Sequence, residues 1–358
     1  MMKAIMVVFC LDEKDPALSF IPFWCNAIAE QVEVLHVIPQ WVGKHVKLEN
    51  NIVVHSLEKD KYKSKIYRLF RLYRIVNRIM SEYGGADVCF VHMNTIMAPA
   101  LWPLLSLYKI PIISWYAHNY IDKTIPFTHF VSKKIVTCNP SAYAYRHDSK
   151  VSYIGHGINE KIFKKPSRDI NKNGLLHVGR ISPIKNIEIL IRAAQIVTPE
   201  VSWATGCNLV GDSPKGQDSY YTYIKDLVDP AVNDVVFWGK KTNLETVSFY
   251  QNAAYHINCG PKNHSMDKAV LESIFCGTPS LTSISAFQDT FGKYAKSLIF
   301  EEKSYVDLAE KIKDLPAPGS REYIEMADYL LERALERHSL SSFSKKIVSI
   351  FENSLKGR

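Results

Sequence analysis

Strand-like and helix-like patterns alternate along this chain, and they do so twice. In the first half, apolar runs at 3–10, 32–38, 52–56, 87–92, 110–115, 135–138 and 151–154 read as strands. Helical spacing falls at 16–30, 62–82 and 95–108. The stretch "YIGHGINEKIFKKPSRDINKNG" (153–174) turns polar in its second half and breaks the pattern. It then restarts, with strands expected at 174–178, 207–210, 234–238, 254–258, 278–282 and 297–300 and helices at 186–197, 217–228, 244–251 and 266–276. Alternation of this kind builds a parallel sheet with helices on both faces, an α/β architecture. Doing so twice predicts two such domains, divided near residue 165, and 358 residues are too many for one ordinary core. The segment 320–355 is almost wholly helical in pattern, and "FSKKIVSIFENSL" is amphipathic enough to dock on another surface.

A hydrophobic share of 47% with 22% charged residues fits a soluble globular protein and excludes a disordered one. The seven cysteines form no C-x-x-C pair and mostly lie in apolar runs, so they read as buried free thiols in a reducing compartment; neither a metal site nor a disulfide framework is supported. "AIMVVFCL" (4–11) reads as a first strand rather than a signal peptide. "IMAPALWPLLSLYKIPIISWYA" (96–117) is apolar, but Pro99, Pro103, Pro111 and Lys109 interrupt it, and a helix followed by a buried strand explains it better than a membrane span. A cytoplasmic protein is expected.

The segment "HVGRISPIKNIEIL" (177–190) places Gly179 and Arg180 at the end of a buried strand and Lys185 at the start of a helix. Gly179 permits a sharp turn, and Pro183 suits a loop or first helical turn. In open α/β sheets ligands bind beyond the carboxyl ends of the strands. Two cations there point to an anion, best a phosphate.

A second segment, "HSMDKAVLESIFCGTPSL" (264–281), is a helix with Ser265 as candidate cap and Ala269, Val270, Leu271, Ile274 and Phe275 facing inward. Its first backbone N–H groups, through Ala269, Val270 and Leu271, are expected to open on the same sheet edge as an anion site. Glu272, nearly two turns in, is either an ordinary surface glutamate or a carboxylate that clasps a ribose diol.

With these segments in hand, the chain resembles the retaining GT-B glycosyltransferases of family 4. "LLHVGRISPIKNIEILIRAAQIV", "NLVGDSP", "DVVFWGKKTNLETVSFYQNAAYHINC" and "AVLESIFCGTPSL" are similar to that family's successive C-terminal segments. "ISWYAH" resembles its strand ending in the active-site histidine, and "VSYIGHGINEKIF" its hinge. The resemblance implies two Rossmann-like, doubly wound domains facing a cleft: an acceptor domain at 1–164, a nucleotide-sugar domain at 165–335 and a helix at 336–358 crossing back to the first. It implies that Arg180 and Lys185 hold the donor's diphosphate, that Glu272 holds the ribose and that Trp238, Gly239 and Lys240 flank the base. His118 would reach the transferred sugar; the alternative is a satisfied histidine at a strand end. It also implies a metal-independent hexosyl transfer without cofactor, from a UDP- or GDP-linked rather than ADP-linked sugar.

Departures from the family pattern are specific. The first of its two glutamates is replaced by His264. Asp267 either supplies that carboxylate from a shifted place or is a favourable charge at a helix start, worth about 0.3–1 kcal/mol. Lys268 would add a third cation. "LDEKDPALSFIPFW" stands where a Gly-Gly loop is usual, with Asp15 and Phe20, and Asn119 beside His118, as acceptor-side candidates.

The net charge of +8 is concentrated at "KDKYKSKIYRLFRLYRIVNRIM" (59–80), whose apolar stripe is expected to be Ile66, Leu69, Phe70, Tyr73, Val76 and Met80. Such a helix fits the inner face of an anionic membrane, in keeping with a lipid-linked glycan acceptor, or simply faces the core with a solvated basic side. No nucleic-acid motif accompanies it. A GT-B sugar-nucleotide epimerase and a non-catalytic nucleotide-sugar-binding partner are the alternative functions.

Overall fold

The computed structural model describes residues 2–15, 17–118, 120–167, 170–232 and 234–356. The chain divides into two compact units, Met1–Asn159 with His338–Arg358, and Glu160–Arg337. The divisions fall a few residues from the expected 164/165 and 335/336.

The first unit contains β1 (Lys3–Leu11), α1 (Ile21–Ala29), β2 (Val34–Val42), β3 (Ile52–Val54), α2 (Lys65–Glu82), β4 (Val88–His92), α3 (Met97–Leu107), β5 (Ile112–Trp115), α4 (Ile125–Val131), β6 (Lys134–Thr137) and β7 (Val151–Tyr153). The second contains β8 (Leu175–Val178), α5 (Ile187–Val197), β9 (Gly206–Val210), α6 (Asp218–Asp226), β10 (Asp234–Gly239), α7 (Asn243–Asn252), β11 (Tyr255–Asn258), α8 (Lys268–Phe275), β12 (Ser280–Thr282), α9 (Gln288–Phe291), α10 (Ala295–Leu298) and α11 (Tyr305–Lys313). Helix α12 (Arg321–His338) then leads to α13 (Leu340–Leu355), which belongs to the first unit.

Both sheets are parallel and doubly wound. Their strand orders are β3-β2-β1-β4-β5-β6-β7 and β10-β9-β8-β11-β12. The winding reverses between β1 and β4 in one and between β8 and β11 in the other, which are the switch points where ligands collect.

In the first unit, β1 sends Ala4, Met6 and Val8 to one face and Ile5 and Val7 to the other, and both faces are buried. Helices α1 and α13 cover the first face. Trp24 of α1 lies against Phe343 of α13, with ring centroids 3.9 Å apart, and edge-on to Trp115 at 5.1 Å. Its indole N–H donates to the Gly157 carbonyl at 3.0 Å. Gly157 has φ +64°, and a Cβ there would lie 2.9 Å from both Trp24 and Phe343, so only glycine fits. Next to it the two crossings of the chain pair: Ile158 N–H donates to His338 O, and Leu340 N–H donates to Ile158 O, each at 2.7 Å.

Several expectations need correction. The 297–300 segment is not a strand: α10 ends at Leu298 within it, and a single bridge joins Thr282 to Ile299. Helices α4 and α11 were not foreseen. The 320–355 helix breaks at Ser339, whose side chain caps α13. On α2 the buried residues are Leu72, Val76 and Ile79; of the expected stripe Val76 is buried and Met80 packs against the core, while Ile66 is 70% and Phe70 67% exposed, so the core-facing stripe is rotated from the expected one. Helix α3 carries Pro103 internally, and among the described residues no helix is long and apolar enough to cross a membrane.

Because Phe343 closes the face around Trp24, Phe343→Ala is expected to cost about 3–5 kcal/mol of unfolding free energy. Urea titration followed by tryptophan fluorescence measures this; a loss below about 1 kcal/mol would mean that α13 is not integral to the core.

Candidate functional site

In the second unit, β8 and β11 flank the switch point, and their carboxyl ends lead into the two segments singled out above. Gly179 follows β8 with φ +155°, and its N–H donates to Val210 O at 2.9 Å. A Cβ on Gly211 would stand 1.8 Å from the Gly179 carbonyl oxygen, so the two turns meet backbone to backbone. The lacing continues with Gly211 N–H to Gly239 O at 2.9 Å and Ile181 N–H to Asp212 O at 3.0 Å. Fixed in this way, Arg180 is exposed at the sheet edge, with no hydrogen bond or ion pair to its guanidinium among the described residues.

Lys185 is placed differently from Arg180. Pro183–Lys185 form a single 3₁₀ turn, and Asn186 adopts a left-handed conformation (φ 45°, ψ 49°). The Asn186 amide donates to Cys259 O at 2.8 Å, tying the loop to the end of β11. The Lys185 ammonium is paired with Asp267, and both side chains are mostly buried. The two cations expected to act together are therefore one open arginine and one lysine already engaged.

Asp267, not Ser265, caps α8; Ser265 is buried in the preceding loop. The Asp267 carboxylate accepts from Ala269 N–H at 3.2 Å, from the Asn258 amide at 3.0 Å and from Lys185. Burial pushes its pKa upward, but the Lys185 charge and these hydrogen bonds outweigh burial and hold it well below the usual carboxylate range. The helix start is consequently less open than expected. Ala269 N–H goes to the cap side chain and Val270 N–H to the Asp267 carbonyl, at 3.3 Å. The side chains of Ala269, Val270 and Leu271 are buried.

Glu272 sits partly buried on α8, and Tyr250 of α7 donates its hydroxyl to it at 3.1 Å. Burial raises its pKa to about 7, against the opposing Lys268 charge and the Tyr250 hydrogen bond, with Asp267 adding to the rise. It is thus not an ordinary surface glutamate. His264 is folded onto its own loop, its Nδ1 3.2 Å from Ser265 O. The Trp238 indole donates to Asn208 Oδ1 at 2.7 Å and packs edge-on to Phe249. It lines a depression of about 230 Å³ with Asn173 and Asn252, residues that precede β8 and β11. Gly239 (φ +64°) turns the chain there, and Lys240 is exposed.

In the first unit, His118 lies three residues past β5, which pairs with β4 at the switch point. Its Nδ1 accepts the Tyr120 N–H at 3.0 Å, which places the proton of the neutral ring on Nε2. Asn119 lies outside the described residues. Asp15 accepts the N–H groups of Ala17 and Leu18 at 2.9 and 2.8 Å in the turn before α1. Phe20 packs edge-on to Trp24 and His92, 5.1 and 5.7 Å away, and rests on the core.

The sequence reading missed the residues that set these positions. Asn258 and Asn186 organise Asp267 and the Lys185 loop, and Tyr250 bears on Glu272. Asp122 accepts from Thr95, from the hydroxyl and N–H of Thr124 and from Ile125 N–H, pinning the loop after His118. The Thr124 hydroxyl bond is the largest cause of its lowered pKa. Of these, only Asp122, two residues before Thr124 and three before Ile125 at a helix start, carries a local capping signal. Among the described residues no group of three or more His, Cys, Asp or Glu side chains is placed to hold a metal ion.

No family model matches the chain, and no curated protein is similar to it in sequence. Solved structures are similar in fold. A glycosyltransferase from Rickettsia africae matches with TM-score 0.75 and 13% identity, over 100% of both chains. HepE from Anabaena, solved in complex with UDP and glucose, matches with TM-score 0.73 and 13% identity, over 99% of this chain and 100% of HepE. Sucrose-phosphate synthase from Thermosynechococcus elongatus matches with TM-score 0.75 and 13% identity, over 98% of both. At such identity the likeness is one of fold: the two parallel-sheet α/β units, of seven and five strands, match those of GT-B glycosyltransferases.

Proposed function

We propose that this protein is a retaining, metal-independent hexosyltransferase of the family-4 type. It moves a sugar from a nucleotide diphosphate to a glycan or lipid-linked glycan acceptor in cell-surface polysaccharide or glycolipid synthesis. The observation that carries this reading is the open Arg180 guanidinium at the β8 switch-point turn, on the sheet edge where the Lys185–Asp267 pair and α8 begin. A diphosphate is the natural complement of that edge.

In this reading Arg180 and Lys185 bear on the diphosphate and stabilise the charge that builds on the leaving nucleotide. Asp267 orients Lys185 and stands in for the glutamate absent at His264. Glu272, once ionised, accepts both ribose hydroxyls. Gly179 and the Trp238-Gly239-Lys240 turn bound the nucleotide. His118, its proton on Nε2, donates to the transferred sugar or its phosphate. HepE has been solved with UDP-glucose, which favours a UDP-linked donor. Work at the inner face of the cytoplasmic membrane fits the exposed Ile66 and Phe70 on the basic helix α2. A second reading, a non-catalytic nucleotide-sugar binder, is favoured by His264 and by the engagement of Lys185; it requires nucleotide binding without donor turnover, even with a lipid acceptor present.

Calorimetric titration with UDP, GDP and ADP is expected to find one nucleotide that binds well and loses roughly tenfold or more in Arg180→Ala. Equal binding to both proteins, or none to either, would sink the donor-site assignment. Because the Glu272 pKa is raised to about 7, its contribution to stability is complete below the unfolded value and lost as pH rises through about 7. Binding of a nucleotide sugar runs the other way, strengthening from about pH 6 to about pH 8 as the carboxylate forms, and Glu272→Gln flattens that profile. Asp267→Asn frees Lys185. It is expected to tighten nucleoside diphosphate binding roughly tenfold while lowering turnover, and a variant unchanged in both would remove Asp267 from the site.

A further inference from the structure

At the amino-terminal edge of the seven-stranded sheet, away from His118, β5, β6 and β7 begin and α3, α4 and α13 end. A pocket of about 450 Å³ opens there, a size usual for small-ligand sites. Lys109, Lys133, Lys150 and Lys356 line it, and among the described residues no carboxylate does. Trp102 and Phe130, both exposed and with ring centroids 6.3 Å apart, form an aromatic wall.

Helix carboxyl ends attract cations, and this accounts for two of the lysines. Lys150 donates to the carbonyls of His129 and Phe130 at the end of α4, at 3.3 and 3.4 Å, and Lys356 donates to Asn353 at 2.9 Å. It does not account for the others. Lys109 and Lys133 are exposed, and their ammonium groups make neither a hydrogen bond nor an ion pair among the described residues. Lys109 also has φ +57° just beyond the end of α3, a left-handed position where glycine or asparagine is usual. Asp148 beside Lys150 is engaged by His129 Nε2 at 3.0 Å and by the Lys150 N–H at 2.7 Å, and the two unengaged ammonium groups beside two more create a field that a compact dianion satisfies best.

We propose that this pocket is a phosphate-ester site: Lys109 and Lys133 hold the phosphate, Lys150 and Lys356 add to the field, and Trp102 and Phe130 cover the apolar part of the ester. A water-soluble sugar phosphate and a phospholipid headgroup present the same chemistry. The site is independent of the donor-site reading, since none of its residues belongs to that site.

The test uses the full chain and two probes. One is calorimetry with glucose phosphate; the other is co-sedimentation with phosphatidylcholine vesicles, with and without phosphatidylglycerol. The comparison protein is Lys109→Asn/Lys133→Gln, in which both changes fall on exposed side chains and asparagine keeps the left-handed backbone. Saturable binding by at least one probe, weakened roughly tenfold or more in the double variant and unchanged in Arg180→Ala, supports the site. Glucose phosphate alone would identify a soluble ester, and anionic vesicles alone a lipid headgroup. Absence of binding to both probes, or binding that the double variant leaves intact while its circular dichroism matches the parent, overturns it.

Discussion

Parallel pairing is the constraint from which the rest follows. Every neighbouring pair of strands in both sheets runs parallel. Parallel strands cannot be joined by a tight hairpin, so each connection must cross a face, and the crossings cover both faces with helices. The strands are then apolar on both sides, as β1 shows. All strand carboxyl ends share one edge of their sheet, and the loops free to carry chemistry gather there.

Within the second unit, placing a positive charge at that edge rests on two different devices. One is steric: without a Cβ on Gly211 the turns at 179 and 211 lie backbone to backbone, and Arg180 is exposed directly after this contact. The other is electrostatic. A buried carboxylate alone would be protonated or expelled, and Asp267 stays ionised only because Lys185, Asn258 and the α8 backbone all donate to it. Asp267 and Lys185 are thereby fixed together, while the Arg180 charge stays open at the sheet edge.

The architecture was legible because hydrophobic period and turn residues act locally: nearly every strand lies within two residues of its expected start, and Gly179-Arg180 reads directly as a strand end with a projecting cation. What was not legible depends on partners distant in sequence. Lys185 and Asp267 are 82 residues apart, and nothing local distinguishes a lysine awaiting phosphate from one already paired. Ser265 and Asp267 are both good caps, and the geometry of the preceding loop decided between them. On α2, two apolar stripes are possible, and only the position of the sheet selects Leu72, Val76 and Ile79 over Ile66 and Phe70. The 297–300 segment has strand-like composition, but it lies beyond the last full pairing and meets β12 at a single bridge.

The adjacent crossings at Ile158 and Ser339 mean that the second unit is an insertion in the first. Its 160–337 chain is continuous and can close its own core as soon as it is made. The first unit cannot, because the helix that covers Trp24 and Phe90 is encoded after the insertion. During synthesis, then, the earlier-made part is the last to finish, holding one apolar sheet face open until α13 arrives. A chain stopped before that helix would present this face to chaperones and to other copies of itself.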